Sequence, residues 1–276
     1  MVIAFSAAHL MLSRGGAPAL VVRLICTNSC FTAYFTLIIF CSGSSSETGD
    51  TSLWLTVGCV CLDVDSTVCM DEGIDELARF LGRSHVVSNI TSKAMSGELD
   101  FTEALDIRLR LLNPTITDID RFLSLRKPPL TSGFRLLVNR LKASGIHVCL
   151  VSGGLLPIVS QVAEALEIPI ENVYANKLIF NENGCYQGFD RSVPVARSNG
   201  KAEVVSHIMD RFHTNVLMIG DGMTDAAACP PASFFIGFGG NVDRPAVREA
   251  TAYFYTDAEQ IMNLLERVGL LKDTIS

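Results

Sequence analysis

Short, unbroken apolar runs that each stop at a small or acidic residue set the rhythm of this chain from about residue 53 onward. Leu53 to Leu62 is one such run and ends at Asp63. Ile146 to Val151 ends at Ser152, and Asn215 to Ile219 ends at Gly220-Asp221. Continuous rather than alternating apolar character predicts strands covered on both faces, as in a parallel sheet. Ser233 to Ile236 and Ala252 to Tyr255 are two further candidates. Helical spacing fills the gaps: 134–143, closed by Gly145, then 155–166, 201–212 and 257–268. Strands alternating with helices predict an α/β fold, a Rossmann-like, doubly wound parallel sheet.

Residues 71–129 break that rhythm. Segments 74–81, 86–95, 101–112 and 116–123 all carry helical spacing, with no buried-strand run among them. This predicts a small helical domain inserted after the first strand, with the core formed by 51–70 and 130–276. The Lys127-Pro-Pro129 segment marks the return to the sheet.

Residues 1–50 are of another character. The first acidic residue is Glu47, and only Arg14 and Arg23 are basic before it. The apolar stretch 25–41 holds Thr27, Asn28, Ser29, Thr32 and Thr36, at the short limit for a membrane span. A targeting segment, an anchor and an extension without a folded role all fit.

Composition narrows the class. The 276 residues are 49% hydrophobic and 18% charged, which is globular and long enough for a substantial core. A net charge of -7 excludes a uniformly basic nucleic-acid footprint. Nine cysteines show no four-ligand zinc spacing, and their odd number suits reduced thiols in the cytoplasm. Organelle targeting or membrane anchoring through the first segment is the alternative location. His147 and His213 suit structural places better than metal ligation, and no glycine-rich turn follows the first strand to hold a dinucleotide.

Open α/β sheets bind ligands at the carboxyl ends of their strands. Here those ends carry Asp63 and Asp65, then Ser152-Gly153-Gly154, then Asp221 with Asp225 close behind. Three carboxylates in one pocket resist joint ionisation unless a cation is present. Hard oxygen donors beside a phosphate suit Mg²⁺. Ser152 and the amides after it precede a helix start, which favours anions. Lys201 can offset charge on a transferring phosphoryl group. Each piece alone is an ordinary turn or loop; their joint order carries the reading.

With these motifs in place, the chain resembles the haloacid-dehalogenase phosphatases. Asp63-Val-Asp-Ser-Thr67, Ser152-Gly-Gly154, Lys201 and Gly220-Asp-Gly-Met-Thr-Asp225 match their four motifs in order. Within that superfamily it is similar to the phosphoserine phosphatases, through 63–68, Glu72-Gly-Ile-Asp-Glu-Leu77, 175–178 and 235–240. The likeness runs from about residue 53 to the C-terminus.

The resemblance implies the reaction and the roles. L-phosphoserine would be hydrolysed to serine and phosphate, the last step of serine biosynthesis. Asp63 would be the nucleophile and Asp65 the general acid and base. Mg²⁺ would bind Asp63, Asp221 and the carbonyl of Asp65, supported by Asp225. Ser152 and Lys201 would hold the phosphate, Glu72 the substrate ammonium and Arg108 its carboxylate. Met95 and Phe101 would line the pocket, with Gly153 and Thr224 as further contacts. A homodimer is left open. Two departures stand out: Met70 precedes Asp71-Glu72 where relatives often carry charge, and Ala226-Ala-Ala228 replaces an often acidic continuation. Other small phosphate esters, or a silent homologue with a binding role, are the alternatives.

Overall fold

A computed structural model describes residues 20–25, 36–41, 51–85, 87, 90 and 100–272. The chain divides into two units, residues 1–51 and 52–276. In the first, strands β1 (Leu20–Ile25) and β2 (Thr36–Cys41) pair antiparallel, with Leu20 opposite Cys41. Among the described residues no helix is long and apolar enough to cross a membrane.

The second unit is built on one sheet. Its strands are β3 (Val57–Leu62), β4 (His147–Leu155), β5 (Val173–Asn176), β8 (Asn215–Gly220), β9 (Phe234–Phe238) and β10 (Phe254–Tyr255). They lie in the order β10-β9-β8-β3-β4-β5, and every neighbouring pair is parallel. Chain order reverses between β3 and β8, so the ends of these two strands flank the switch point where such sheets bind ligands.

Alternation along the strands explains the unbroken apolar runs. Val60, Leu62, Val148, Leu150, Leu217 and Ile219 belong to one core, beneath α4 (Phe134–Ala143), α5 (Leu156–Ala165) and α7 (Ala258–Arg267). Cys59, Cys61, Cys149, Val216 and Met218 belong to the other, beneath α6 (Gly200–Phe212). Both faces are covered, so both sets of positions must be apolar.

Helices α1 (Gly73–Phe80), α2 (Phe101–Leu112) and α3 (Ile116–Leu125) lie between β3 and α4 in the chain. Thr115 caps α3 in a reciprocal box with Asp118. Their buried residues Leu77, Leu105, Leu109 and Phe122 form a third core with Leu155 and Ile158. The predicted segment 86–95 lies almost wholly outside the described residues.

The structure differs from the sequence reading at β5, which no predicted run covers, and in two further places. The run from Leu53 does not begin as a strand: Thr51–Thr56 is a 3-10 turn. Trp54 is buried there and stacks on Phe234 at 3.7 Å, while Leu53 and Leu55 face solvent. The apolar run therefore merges a turn anchored by one aromatic with the strand proper. An antiparallel hairpin of β6 (Leu178–Phe180) and β7 (Tyr186–Phe189) was also missed. Its strands are too short to show a period, and Phe180 and Phe189 pack on the helical core.

Candidate active site

The carboxyl ends of β3, β4 and β8 open into a cavity of about 350 Å³. Just beyond β3 the backbone turns sharply. Asp65 is extended, and Ser66 takes a left-handed φ of 56°. Such a conformation is costly for a non-glycine residue and recurs at functional sites. The turn is tied down: Ser66 Oγ donates to Glu72 at 2.6 Å, and Thr67 Oγ1 donates to Asp221 at 3.1 Å. Asn241 Nδ2 reaches the carbonyl of Ser66 at 3.1 Å and Thr131 Oγ1 at 2.7 Å.

At the deep end Asp63, Asp221 and Asp225 bring carboxylate oxygens within 4.8 Å of one another, and all three are buried. Lys201, from the first turn of α6, lies 2.7 Å from Asp63 and 2.5 Å from Asp225. The second oxygen of Asp225 accepts from Gly222 N at 3.0 Å. Burial, with Asp225 alongside, holds the Asp63 carboxyl well above the ordinary range despite Lys201. Burial raises Asp65 and Asp225 as well. Burial works against the Lys201 ammonium, but Asp225 and Asp63 outweigh it and hold its pKa above the usual value.

This donor set suits a divalent cation. Oxygen ligands cluster in a closed space, and the cavity wall has six acidic residues against four basic ones. A phosphate dianion entering that excess of negative charge needs a compensating cation.

Asp65 points elsewhere: its Oδ1 accepts from Gly73 N at 2.8 Å, at the start of α1. A side chain at Gly154 would come within 2.8 Å of Asp65 Oδ2, so glycine there leaves room for the acid. Ser152 is fully buried and accepts from Gly154 N at 2.9 Å, leaving its own proton to donate. It is Gly153, not Ser152, that forms the cavity wall. A side chain at Gly153 would meet the Phe101 ring at 2.8 Å.

The outer end is made by α1 and α2. Glu72 precedes α1, and burial pushes its carboxyl up to about 7. Arg108 on α2 lines the cavity, and its guanidinium donates to the Ala104 carbonyl at 3.4 Å. Among the described residues it forms no ion pair, and burial lowers its pKa. A largely buried, unpaired guanidinium facing a cavity is a seat for a carboxylate or phosphate. Phe101 and Thr224 line the same cavity, whereas Met95 lies outside the described residues. The rim is fastened where Ser198 Oγ donates to Asp100 at 2.8 Å and Thr102 Oγ1 to the Ala196 carbonyl at 2.9 Å.

Two cations on the cavity wall escaped the sequence reading, Arg197, which pairs with Glu203, and Arg244. Arg244 donates from Nε to Asp221 at 2.9 Å and lies 3.9 Å from Glu72, bridging both ends of the cavity. Its signal was its place just after Phe238-Gly-Gly240, at the end of the strand next to β8.

The family model for haloacid dehalogenase-like hydrolases matches residues 57–232. A phosphoserine phosphatase from Rattus norvegicus is 47% identical over 215 residues, 78% of this chain and 96% of its own length. The chain belongs to the phosphoserine phosphatase family of haloacid dehalogenase-like hydrolases. Among solved structures, a phosphoserine phosphohydrolase-like protein from Francisella tularensis matches with a TM-score of 0.68 and 28% identity. That match covers 76% of this chain and all of the other. A substrate-bound phosphoserine phosphatase matches with a TM-score of 0.66 and 27% identity, over 75% of this chain and 98% of its own. The family model's match begins beyond the first unit, as the change of pattern near residue 53 implied.

Proposed function

We propose that this enzyme hydrolyses O-phospho-L-serine to L-serine and phosphate by way of a phosphorylated Asp63. One observation carries the reading: a single small cavity has a buried acid cluster with Lys201 at one end, and at the other Glu72 with Arg108, which forms no ion pair among the described residues. A phosphate ester of a small zwitterion matches both ends.

In this reading Arg108 takes the substrate carboxylate, Glu72 the ammonium, and Phe101 closes against Gly153. Lys201, Ser152 and Thr224 hold the phosphate oxygens. Asp63 attacks phosphorus as the bond to the serine oxygen breaks, and Asp65 gives that oxygen its proton. The raised pKa of Asp65 suits the acid role. Asp65 then removes a proton from the water that attacks the phosphoaspartate, which restores Asp63 and frees phosphate. Asp63, Asp221 and the Asp65 carbonyl would hold Mg²⁺, with Asp225, itself engaged by Lys201 and Gly222, supporting them from behind. The ion would neutralise the carboxylates and polarise the phosphoryl group.

Residues 71–129 act as a cap that shields this chemistry from bulk water. Cys59, Cys61, Cys69, Cys149, Cys185 and Cys229 are free thiols, which suits the reducing cytoplasm, and we place the enzyme there.

The test is phosphate release from L-phosphoserine by the full chain, with Mg²⁺ and with EDTA. Release that needs Mg²⁺ and vanishes in Asp63→Asn supports the reading. Turnover of other esters but not phosphoserine rejects the substrate.

A further inference from the structure

Two connectors join helices α1 to α3 to the sheet, residues 69–72 leading in and 126–131 leading out. They run side by side. Cys69 and Leu130 form an antiparallel bridge, Met70 N donates to Pro129 O at 2.9 Å, and Thr131 N donates to Val68 O at 2.8 Å. Across this pair Arg126 Nη2 donates to both carboxylate oxygens of Asp71, at 2.9 and 3.1 Å. Gln161 on α5 adds the third attachment. Its Nε2 donates to the carbonyls of Leu123 at 2.7 Å and Arg126 at 3.0 Å, and its Oε1 accepts from Arg126 Nη1 at 3.4 Å. Three side chains thus tie both connectors to one helix of the core.

The placement distinguishes this pair from an ordinary surface ion pair. Only 8% of the Arg126 side chain and 18% of that of Asp71 are exposed. A shielded pair is weakly screened by salt, and losing one partner strands the other. The guanidinium also lies 5.8 Å over the ring of Phe122, which belongs to the helical core. On the other side Asp71 leads directly to the cavity. Its carbonyl accepts from Ser66 N at 3.2 Å, and Ser66 in turn donates to the carboxylate of Glu72, the next residue.

We propose that Asp71, Arg126 and Gln161 are positioning residues: they set the seat of the helical segment, and with it Glu72 and Arg108, relative to the phosphate end of the cavity. None of the three lines that cavity. Their effect falls on recognition of the amino-acid part of the substrate, not on phosphoryl transfer itself. The inference rests on the assignment of Glu72 given above.

The experiment compares Arg126→Met, Arg126→Lys, Asp71→Asn and Gln161→Leu with Glu72→Gln in the full-length enzyme. The readouts are kcat and KM for L-phosphoserine and for phenyl phosphate, and amide exchange of residues 69–72 and 126–130 without substrate. Arg126→Met should raise KM for phosphoserine between about threefold and thirtyfold. Turnover of phenyl phosphate, which lacks both charged groups, should stay within about twofold, and the connectors should exchange faster. Arg126→Lys should recover part of the loss, and Asp71→Asn with Arg126→Met should be less than additive. If Arg126→Met does not fold, the nearly isosteric Asp71→Asn carries the same comparison. Equal losses on both substrates would overturn the proposal and leave only a stabilising ion pair. An unchanged KM in these variants, beside a raised KM in Glu72→Gln, would overturn it alone. An unchanged KM in Glu72→Gln would remove the assignment on which it rests.

Discussion

The deep and the outer ends of the cavity are built by different means. Asp63 and Asp221 stand just beyond the ends of hydrogen-bonded parallel strands, Ser152 lies within the last residues of β4, and every one is buried. Glu72, just before α1, and Arg108, on α2, belong to a helical segment that reaches the sheet through two paired connectors and a two-bond rim contact. Groups that bond to a reacting phosphorus need sub-ångström placement, which a packed sheet supplies. Groups that select the substrate must also let it in, which a helical segment on connectors can do.

The first prediction breaks the comparison at its strongest point. Asp63→Asn should lower kcat by about a thousandfold or more on every ester, because the attacking oxygen is gone. Single-turnover phosphate release checks it. Lys201→Met should cost roughly a hundred- to thousandfold in kcat, again on phosphoserine and phenyl phosphate alike. It also removes the ammonium that two buried carboxylates share, so a fall in Tm should accompany the loss.

Arg108→Ala sharpens the contrast. Losing one charge-assisted contact of about 1.5–3 kcal/mol should lower kcat/KM for phosphoserine by roughly ten- to a hundredfold, with phenyl phosphate unaffected. Equal losses on both would place Arg108 at the phosphate instead.

Glu72 links the two ends through pH. Its carboxyl is raised to about 7 by burial, so the free enzyme holds a proton there that the unfolded chain would release. Stability from this group is therefore present at low pH and is lost as pH rises from the ordinary carboxylate range through about 7. Substrate binding runs the other way: the ammonium needs the ionised form, so KM should fall as pH rises through about 7. Glu72→Gln should flatten that profile. The smallest expected effect is at the rim, where Ser198→Ala removes one exposed hydrogen bond to Asp100. KM should rise by no more than a few fold, as kinetics at saturating Mg²⁺ would show.

Most of the deep end was legible in the residues. Asp63, Asp221 and Lys201 sit where apolar runs or helix starts place them, and the runs themselves are visible because both sheet faces are covered. Arg244 was not legible: it follows a strand by several residues, in a loop that only folding brings back to Asp221. The hairpin 178–189 was hidden for a related reason, since strands of three or four residues are held by the partner they pack on.

By itself, the sequence determined the α/β class, the break in character near residue 53, the helical segment after the first strand and the acids at the strand ends. These follow from local periodicity and from where each run stops. The tertiary structure alone decided the strand order, the bridge from Arg244 to Asp221 and the tie between Asp71 and Arg126. Each joins positions far apart in the chain, and no local pattern encodes a distance across the fold.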